Sequence, residues 1–265
     1  PTEKQMTQLN ELFDLTGKVA LTTGSSIGMG RALAEGLAMA GAKVVISSRK
    51  GDVCEQTASE INEMVGEERA IGIACNIGYK EQLQSLVDET RSRLGAIDIL
   101  INNAGVNPFH GPSSEIPDDA FDKTMNSNVK SNHWLIHMVL PDMVAKEDGV
   151  IIITSSNGAF QPSTELGAYA ISKAADLALV RNIAAEYGSK NIRINALCPG
   201  LFKTRFAQVL WSDAEGNEYP ANNITLKRFG DPEELRGVGV FLASPAASYM
   251  TGQAMVIDGG QVMVR

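Results

Sequence analysis

The chain has 265 residues, 44% of them hydrophobic and 20% charged, with a formal net charge of −8. That composition is enough for one large domain with a core of its own, and we expect a single domain over residues 1–265. An acidic chain without a long basic run argues against a nucleic-acid or anionic-membrane partner, and no apolar run is long enough to span a bilayer.

Short β-branched runs recur along the chain, each followed by a helical pattern. In order they are "KVALTTG" (18–24), "KVVISSR" (43–49), "AIGIACN" (70–76), "IDILINNAG" (97–105), "GVIIITSS" (149–156), "NIRINALCPG" (191–200) and "AMVIDGG" (254–260). The runs are almost continuously apolar, which suits strands buried on both faces, and helices separate them. This predicts an α/β fold of the Rossmann type: a doubly wound parallel sheet of seven strands in three α/β/α layers. Residues 1–14 are read as an N-terminal extension. The irregular stretch 201–228 is read as a substrate lid, since long inserts in compact domains are usually functional.

Ligands of such sheets bind beyond the carboxyl ends of the strands, so the residues there matter most. The first strand runs into "TGSSIGMG" (23–30), where Gly24, Gly28 and Gly30 permit a tight turn and close approach of a diphosphate to a helix N-terminus. Ser26 and Ile27 lie within that turn. The second strand ends in Ser48, followed by Arg49 and Lys50, where an NAD site usually carries a carboxylate. A hydroxyl and a guanidinium suit a ribose 2′-phosphate, so NADP(H) is preferred and NAD(H) remains possible. The fourth strand ends in Asn103, Ala104 and Gly105, small and amide groups that let the backbone pass close to a flat ring. The fifth ends in Ser155 and Ser156, and the sixth in Pro199 and Gly200, with Thr204 following. In "YAISK" (169–173), Tyr169 and Lys173 stand four apart, on one face of a helix. A neighbouring ammonium favours the phenolate, which makes Tyr169 a candidate general acid and base.

Taken together, T-G-x-x-x-G-x-G at 23–30, N-N-A-G at 102–105, Asn128 in "NSNVKS", Ser156, Tyr169-x-x-x-Lys173 and Pro199-Gly200 resemble the short-chain dehydrogenase/reductase family. The resemblance runs from about Leu15 to Gly260. "NPFHG" (107–111), "NIRINALCPGLFKT" (191–204) and Leu210-Trp211 are similar to the family's NADPH-dependent carbonyl and retinal reductases. The resemblance implies that Tyr169 donates the proton in reduction and removes it in oxidation. It implies that Lys173 lowers the tyrosine pKa and holds the nicotinamide ribose, that Ser156 polarises the carbonyl, and that Asn128 holds a relay water. Cofactor contacts carry over to Asn76, Ile77, Phe202 and Thr204 as well. Ile27 departs from the basic residue of many NADP-binding members, Asn76 from the usual acidic one, and Asn132 from the usual small or apolar one.

Phe202, Phe206 and Leu210, followed by Trp211, read as an apolar stripe at helical spacing. With Phe109 and Phe160 they suggest a pocket for a bulky or aromatic carbonyl or alcohol. His133 and His137 stand four apart without a third ligand, so no metal is expected, and His110 reads as a solvated loop residue. The ending "TGQAMVIDGG" resembles the family's tetramer-forming end, which implies a homotetramer. The N-terminus lacks an apolar signal core, the last three residues Met263, Val264 and Arg265 match no address, and Cys54, Cys75 and Cys198 are scattered. Cytoplasm is the expected location.

The reading that results is an NADP(H)-dependent carbonyl reductase or alcohol dehydrogenase. An NAD-linked alcohol, sterol or sugar dehydrogenase and a 3-oxoacyl thioester reductase are the enzymatic alternatives. A catalytically silent dinucleotide-binding regulator is the non-enzymatic one.

Overall fold

The computed structural model describes residues 9–213 and 215–262. Most of the N-terminal extension, and the three C-terminal residues searched for an address, lie outside that range.

The strands are β1 (Val19–Thr23), β2 (Lys43–Ser48), β3 (Ala70–Ala74), β4 (Ile99–Asn102), β5 (Gly149–Thr154), β6 (Ile192–Pro199) and β7 (Ala254–Ile257). All are parallel, in the order β3-β2-β1-β4-β5-β6-β7. The helices are α1 (Gly28–Met39), α2 (Gly51–Val65), α3 (Lys80–Leu94), α4 (Asp118–Met125), α5 (Ser131–Lys146), α6 (Gly167–Tyr187), α7 (Gln208–Trp211) and α8 (Leu235–Ala243).

Alternation within each strand divides the interior in two, which explains the unbroken apolar runs of the sequence. Leu21, Leu100, Ile151, Ile153 and Ile194 point to one face, where α3, α5 and α6 supply Leu83, Leu135, Ile136, Val139 and Val180. Ala20, Ile99, Ile101, Ile152 and Leu197 point to the other, against Leu33 and Leu37 of α1, Ile61 of α2 and Leu242 of α8. Each of the leucine, isoleucine and valine side chains among them contributes on the order of 1.5–3 kcal/mol on burial.

The chain winds outward from β1 through β2 to β3, then returns to place β4 on the other side of β1. The reversal opens a crevice at the carboxyl ends of β1 and β4, where doubly wound sheets bind ligands. β1, β4 and β7 are shorter than their apolar runs predict. Their expected C-terminal residues, Gly24, Asn103 to Gly105 and Asp258 to Gly260, instead form the loops at this edge. Gly24 has φ +62°, a left-handed conformation that ends the ladder.

Candidate active site

The first loop is built to bring backbone close to whatever it binds. Gly28 adopts φ +61°. A Cβ on Gly30 would stand 2.3 Å from the Asn103 amide and 2.4 Å from the Gly24 carbonyl. A side chain at either glycine is therefore strained or excluded. Ile27 precedes α1 without a side-chain cap, and no acidic residue occupies the first turn. The free N–H groups of this twelve-residue helix suit an anion such as a diphosphate.

The loop after β4 holds this turn in place. Asn103 Nδ2 donates to the carbonyls of Thr23 (3.1 Å) and Gly24 (3.0 Å), while the N–H groups of Asn103 and Ala104 both donate to Thr23 Oγ1 at 3.1 Å. The Asn103 Oδ1 is buried with no hydrogen-bond partner among the described residues. A tight glycine cradle beside an unpaired buried acceptor fits a bound dinucleotide.

At the end of β2, Ser48 lies within 3.1 Å of the Cys54 sulfur, and Arg49 and Lys50 are exposed. Neither cation pairs with a carboxylate among the described residues. Ser26 is buried, and its carbonyl accepts from Thr57 at 3.0 Å; Ile27 is exposed beside it. Beyond β3, the Asn76 side-chain oxygen accepts from the Gly78 N–H at 3.1 Å. This local turn leaves that oxygen one lone pair for any further donor. Ile77 packs against the core.

Tyr169 and Lys173 rise from the first two turns of α6, which packs against β6 and against the turn that follows Ser156. Lys173 Nζ lies 5.7 Å from the centre of the Tyr169 ring. It donates to the Thr154 carbonyl at 2.8 Å and pairs with Asp176 Oδ2 at 3.4 Å. Burial works against the Lys173 ammonium, but the Asp176 carboxylate outweighs it with help from Tyr169, and the lysine pKa is displaced upward. No side chain among the described residues hydrogen-bonds the Tyr169 hydroxyl. Ser155 Oγ fastens the helix by donating to the Lys173 carbonyl at 2.8 Å. Ser156 Oγ accepts from the Gly158 N–H at 3.0 Å. Its hydroxyl proton therefore remains available to a ligand.

Asn128 sits in a single π-helical turn, Asn126–Lys130, between α4 and α5. Such turns concentrate at functional sites. Its side chain accepts from the Val106 N–H (2.8 Å) and donates to the Val106 carbonyl (2.9 Å) and the Ser172 hydroxyl (3.0 Å). A Cβ on Gly105 would lie 3.4 Å from Asn128 Oδ1 and 3.7 Å from Lys173 Nζ. Glycine there lets the loop after β4 cross close to both residues.

The stretch after β6 corrects one expectation. Only Gln208–Trp211 is helical, so Phe202, Phe206 and Leu210 do not share a helix face. Phe202 is 4% exposed and belongs to the core, packed on Gly230, so only its backbone can meet a ligand. Phe206 is 56% exposed, and its ring centre lies 6.3 Å from that of Tyr169. Thr204 Cγ2 comes to within 3.3 Å of a Cβ placed on Gly28, which brings this stretch onto the glycine turn. Pro199 closes β6, and the Gly200 N–H donates to Ile257 at 2.9 Å. Phe109 folds over Gly111, whose N–H donates to Glu165 at 2.8 Å, just ahead of α6. Phe160 is exposed at the end of the turn after Ser156.

The His133 and His137 rings lie 4.3 Å apart, tilted at 46°, and among the described residues no group of three or more His, Cys, Asp or Glu side chains could hold a metal. His110 is exposed and 3.5 Å from Glu165. No described helix is long and apolar enough to cross a membrane. Asp176 escaped the motif reading: it follows Ser172 and Lys173 on the buried side of α6, just before that side turns apolar at Leu177, Val180 and Ile183, and its partner Asn132 is one of the departures from the family pattern. A charge where the helix period demands an apolar residue was the available signal for Asp176.

A doubly wound sheet with a glycine turn at its switch point and a Tyr-x-x-x-Lys helix at the same edge defines a dinucleotide-fold oxidoreductase class. Comparison with known proteins narrows it. A family profile described as "Enoyl-(Acyl carrier protein) reductase" matches residues 24–261. The Dehydrogenase/reductase SDR family member 4 proteins of Sus scrofa and Homo sapiens are 41% and 40% identical over 247 residues, covering 93% of this chain and 88% of theirs. A gluconate 5-dehydrogenase from Burkholderia cenocepacia, solved with NADP and tartrate, superposes with a TM-score of 0.88 at 32% identity, covering 96% of this chain and 98% of that one. A 7α-hydroxysteroid dehydrogenase solved with NADH and 7-oxo glycochenodeoxycholic acid gives 0.87 at 34% identity, covering 94% and 96%. The chain belongs to the short-chain dehydrogenase/reductase family and is an oxidoreductase of that family.

Proposed function

We propose that the protein transfers hydride between NADP(H) and a carbonyl or secondary alcohol carrying an apolar or aromatic group. When bound, the nicotinamide dinucleotide supplies or accepts the hydride. The residues of the chain position it and manage the proton. The N-terminus of α1 and the glycine turn would hold the diphosphate, with Ser48 and Arg49 at the adenosine 2′-phosphate. The loop of Asn103, Ala104 and Gly105, and the backbone from Pro199 to Thr204, would border the nicotinamide half. Ser156 would orient the carbonyl oxygen. Tyr169 would give that oxygen its proton, and Lys173 would hold the ribose hydroxyls and favour the phenolate. The exposed ring of Phe206 beside Tyr169, with Phe109 and Phe160, would form the apolar wall, and residues 201–228 would close over it as a lid. A homotetramer in the cytoplasm is the assembly and location that accompany this reading.

One observation carries the proposal: a partially buried tyrosine, its hydroxyl unpaired among the described residues, stands beside a buried, charged lysine, at the edge where the glycine turn lies. Competent residues at all four catalytic positions weigh against a silent regulator. A screen of ketones, aldehydes and alcohols with both cofactors tests the reading. NADPH-linked turnover of apolar carbonyls is expected, and a protein that ignores pyridine nucleotides overturns it. Tyr169→Phe is expected to lower kcat at least a thousandfold while leaving NADPH affinity within about threefold. A substantial residual rate removes Tyr169 from its role.

A further inference from the structure

Behind the lysine lies a closed polar chain that the proposed mechanism does not use. Asp176, one turn after Lys173, is fully buried and accepts from Lys173 Nζ through Oδ2 at 3.4 Å. Its Oδ1 accepts from Asn132 Nδ2 at 3.0 Å. The same amide nitrogen donates its second hydrogen to the main-chain carbonyl of Asn128 at 2.6 Å. Asn132 is 4% exposed and Lys173 3%. The order of groups is not interchangeable. The Asn128 carbonyl can only accept and the Lys173 ammonium can only donate, so of these two residues the amide suits position 132 and the carboxylate position 176. Burial pushes the Asp176 carboxyl pKa up, while the Lys173 ammonium and the Asn132 amide, which face it as donors, work against that and favour the ionised form.

A buried ion pair is a poor device for stability alone, since apolar residues of similar volume often do as well. Here the pair touches the one lysine at the site. The titratable groups that face Lys173 are Tyr169 and Asp176 on its own helix and Cys198 on β6; burial pushes the Cys198 thiol up to about 11.

We propose that Asp176, held by Asn132, is the positioning counter-ion of Lys173, and that its charge sets the pH at which the Tyr169–Lys173 pair loses its first proton. The inference rests on the acid–base role given to Tyr169 above. In that role the site must release one proton before it can oxidise, from whichever of the two groups gives it up. Whichever of the two releases the first proton, the loss makes the pair less positive beside a fixed carboxylate. The carboxylate therefore opposes it, and neutralising Asp176 eases it. Burial raises the Cys198 thiol to about 11, so it carries little charge well below that pH.

The test is the pH dependence of kcat/KM for alcohol oxidation. Asp176→Asn keeps an acceptor for Asn132 and removes the charge. Its acid-side limb is expected to move to lower pH by on the order of one unit. Asp176→Ser, which removes the charge through a smaller polar group, is expected to move it in the same direction. A limb that stays at the wild-type pH in both, even with a lowered Tm, shows a merely structural pair and overturns the proposal. Carbon-13 NMR of the wild-type Asp176 carboxyl puts the question without a variant: an ionised carboxylate is expected across the limb, and a neutral carboxyl there overturns it equally. Failure of the underlying reading looks different, because Tyr169→Phe would then keep both turnover and the limb.

Discussion

Arg49 illustrates how much a single residue can decide. It stands exposed where β2 ends, without a carboxylate partner among the described residues, beside a serine and not an acidic side chain. A guanidinium facing a ribose phosphate gives a charge-assisted hydrogen bond, and one near the surface contributes about 1.5 kcal/mol. Arg49→Ala is therefore expected to weaken NADPH about tenfold, by fluorescence titration, while NADH changes less than twofold. Equal losses for both cofactors would show that Arg49 does not read the phosphate. The reading of this position came from local chemistry, a cation where a carboxylate is usual. Tyr169 and Lys173 were legible for the same reason, since helix period alone puts them on one face. Asp176 and Asn132 were not, because their partnership joins residues 44 positions apart across two helices. Nothing local announces such a contact. The same holds for the Tyr169 hydroxyl, unpaired among the described residues, which is a property of everything around it.

At the scale of elements, sequence pattern located all seven strands, because both sheet faces are buried and each strand is apolar throughout. The stretch 201–228 was harder. Helical spacing of its aromatic residues suggested a stripe, but Phe202 is drawn into the core against Gly230, and only one short turn forms. Tertiary packing overrode the local period there. Where that stretch gives way to α8, Glu234 accepts from the Asp231 N–H at 2.9 Å and from both terminal nitrogens of Arg228 at 2.7 Å. The Arg228 guanidinium, then the Asp231 N–H, hold its carboxyl well below the usual range, at about 2. As pH falls, the unfolded chain takes up this proton near 4.5 and the folded one only near 2. The stabilisation is thus complete above the higher value and is lost between the two. Glu234 is 44% exposed, so solvent screening keeps its contribution below about 1 kcal/mol. Glu234→Gln is expected to lower Tm by roughly 1–3 °C at pH 7. The gap to wild type should narrow as pH falls below 4.5. A gap that widens on acidification would reverse the assignment.

At the scale of the whole molecule, the sheet ends in an apolar edge strand. β7 is the last strand of the sheet and pairs only with β6, leaving its outer N–H and C=O groups without a strand partner among the described residues. Its Met255, Val256 and Ile257 are each only partly buried. Just before it, the Tyr249 ring is fully exposed. An apolar sheet edge in this state is normally covered, charged or shortened, and here neither Met255 nor Val256 carries a blocking charge. A second copy packed edge to edge would remove this surface from water. The stretch from Thr251 to Gly260 is also the one that resembles the family's tetramer-forming end. One edge contact joins two copies and the resemblance implies four, so light scattering after gel filtration is expected to give the mass of two or four copies of a 28.3 kDa chain. Tyr249→Glu places a charge in that contact while touching neither core nor cradle, so it is expected to yield smaller assemblies with a lower Tm and an unchanged fold by circular dichroism. A wild-type protein that runs at the mass of one copy at micromolar concentration would leave the β7 edge exposed in solution and end the argument for assembly through it.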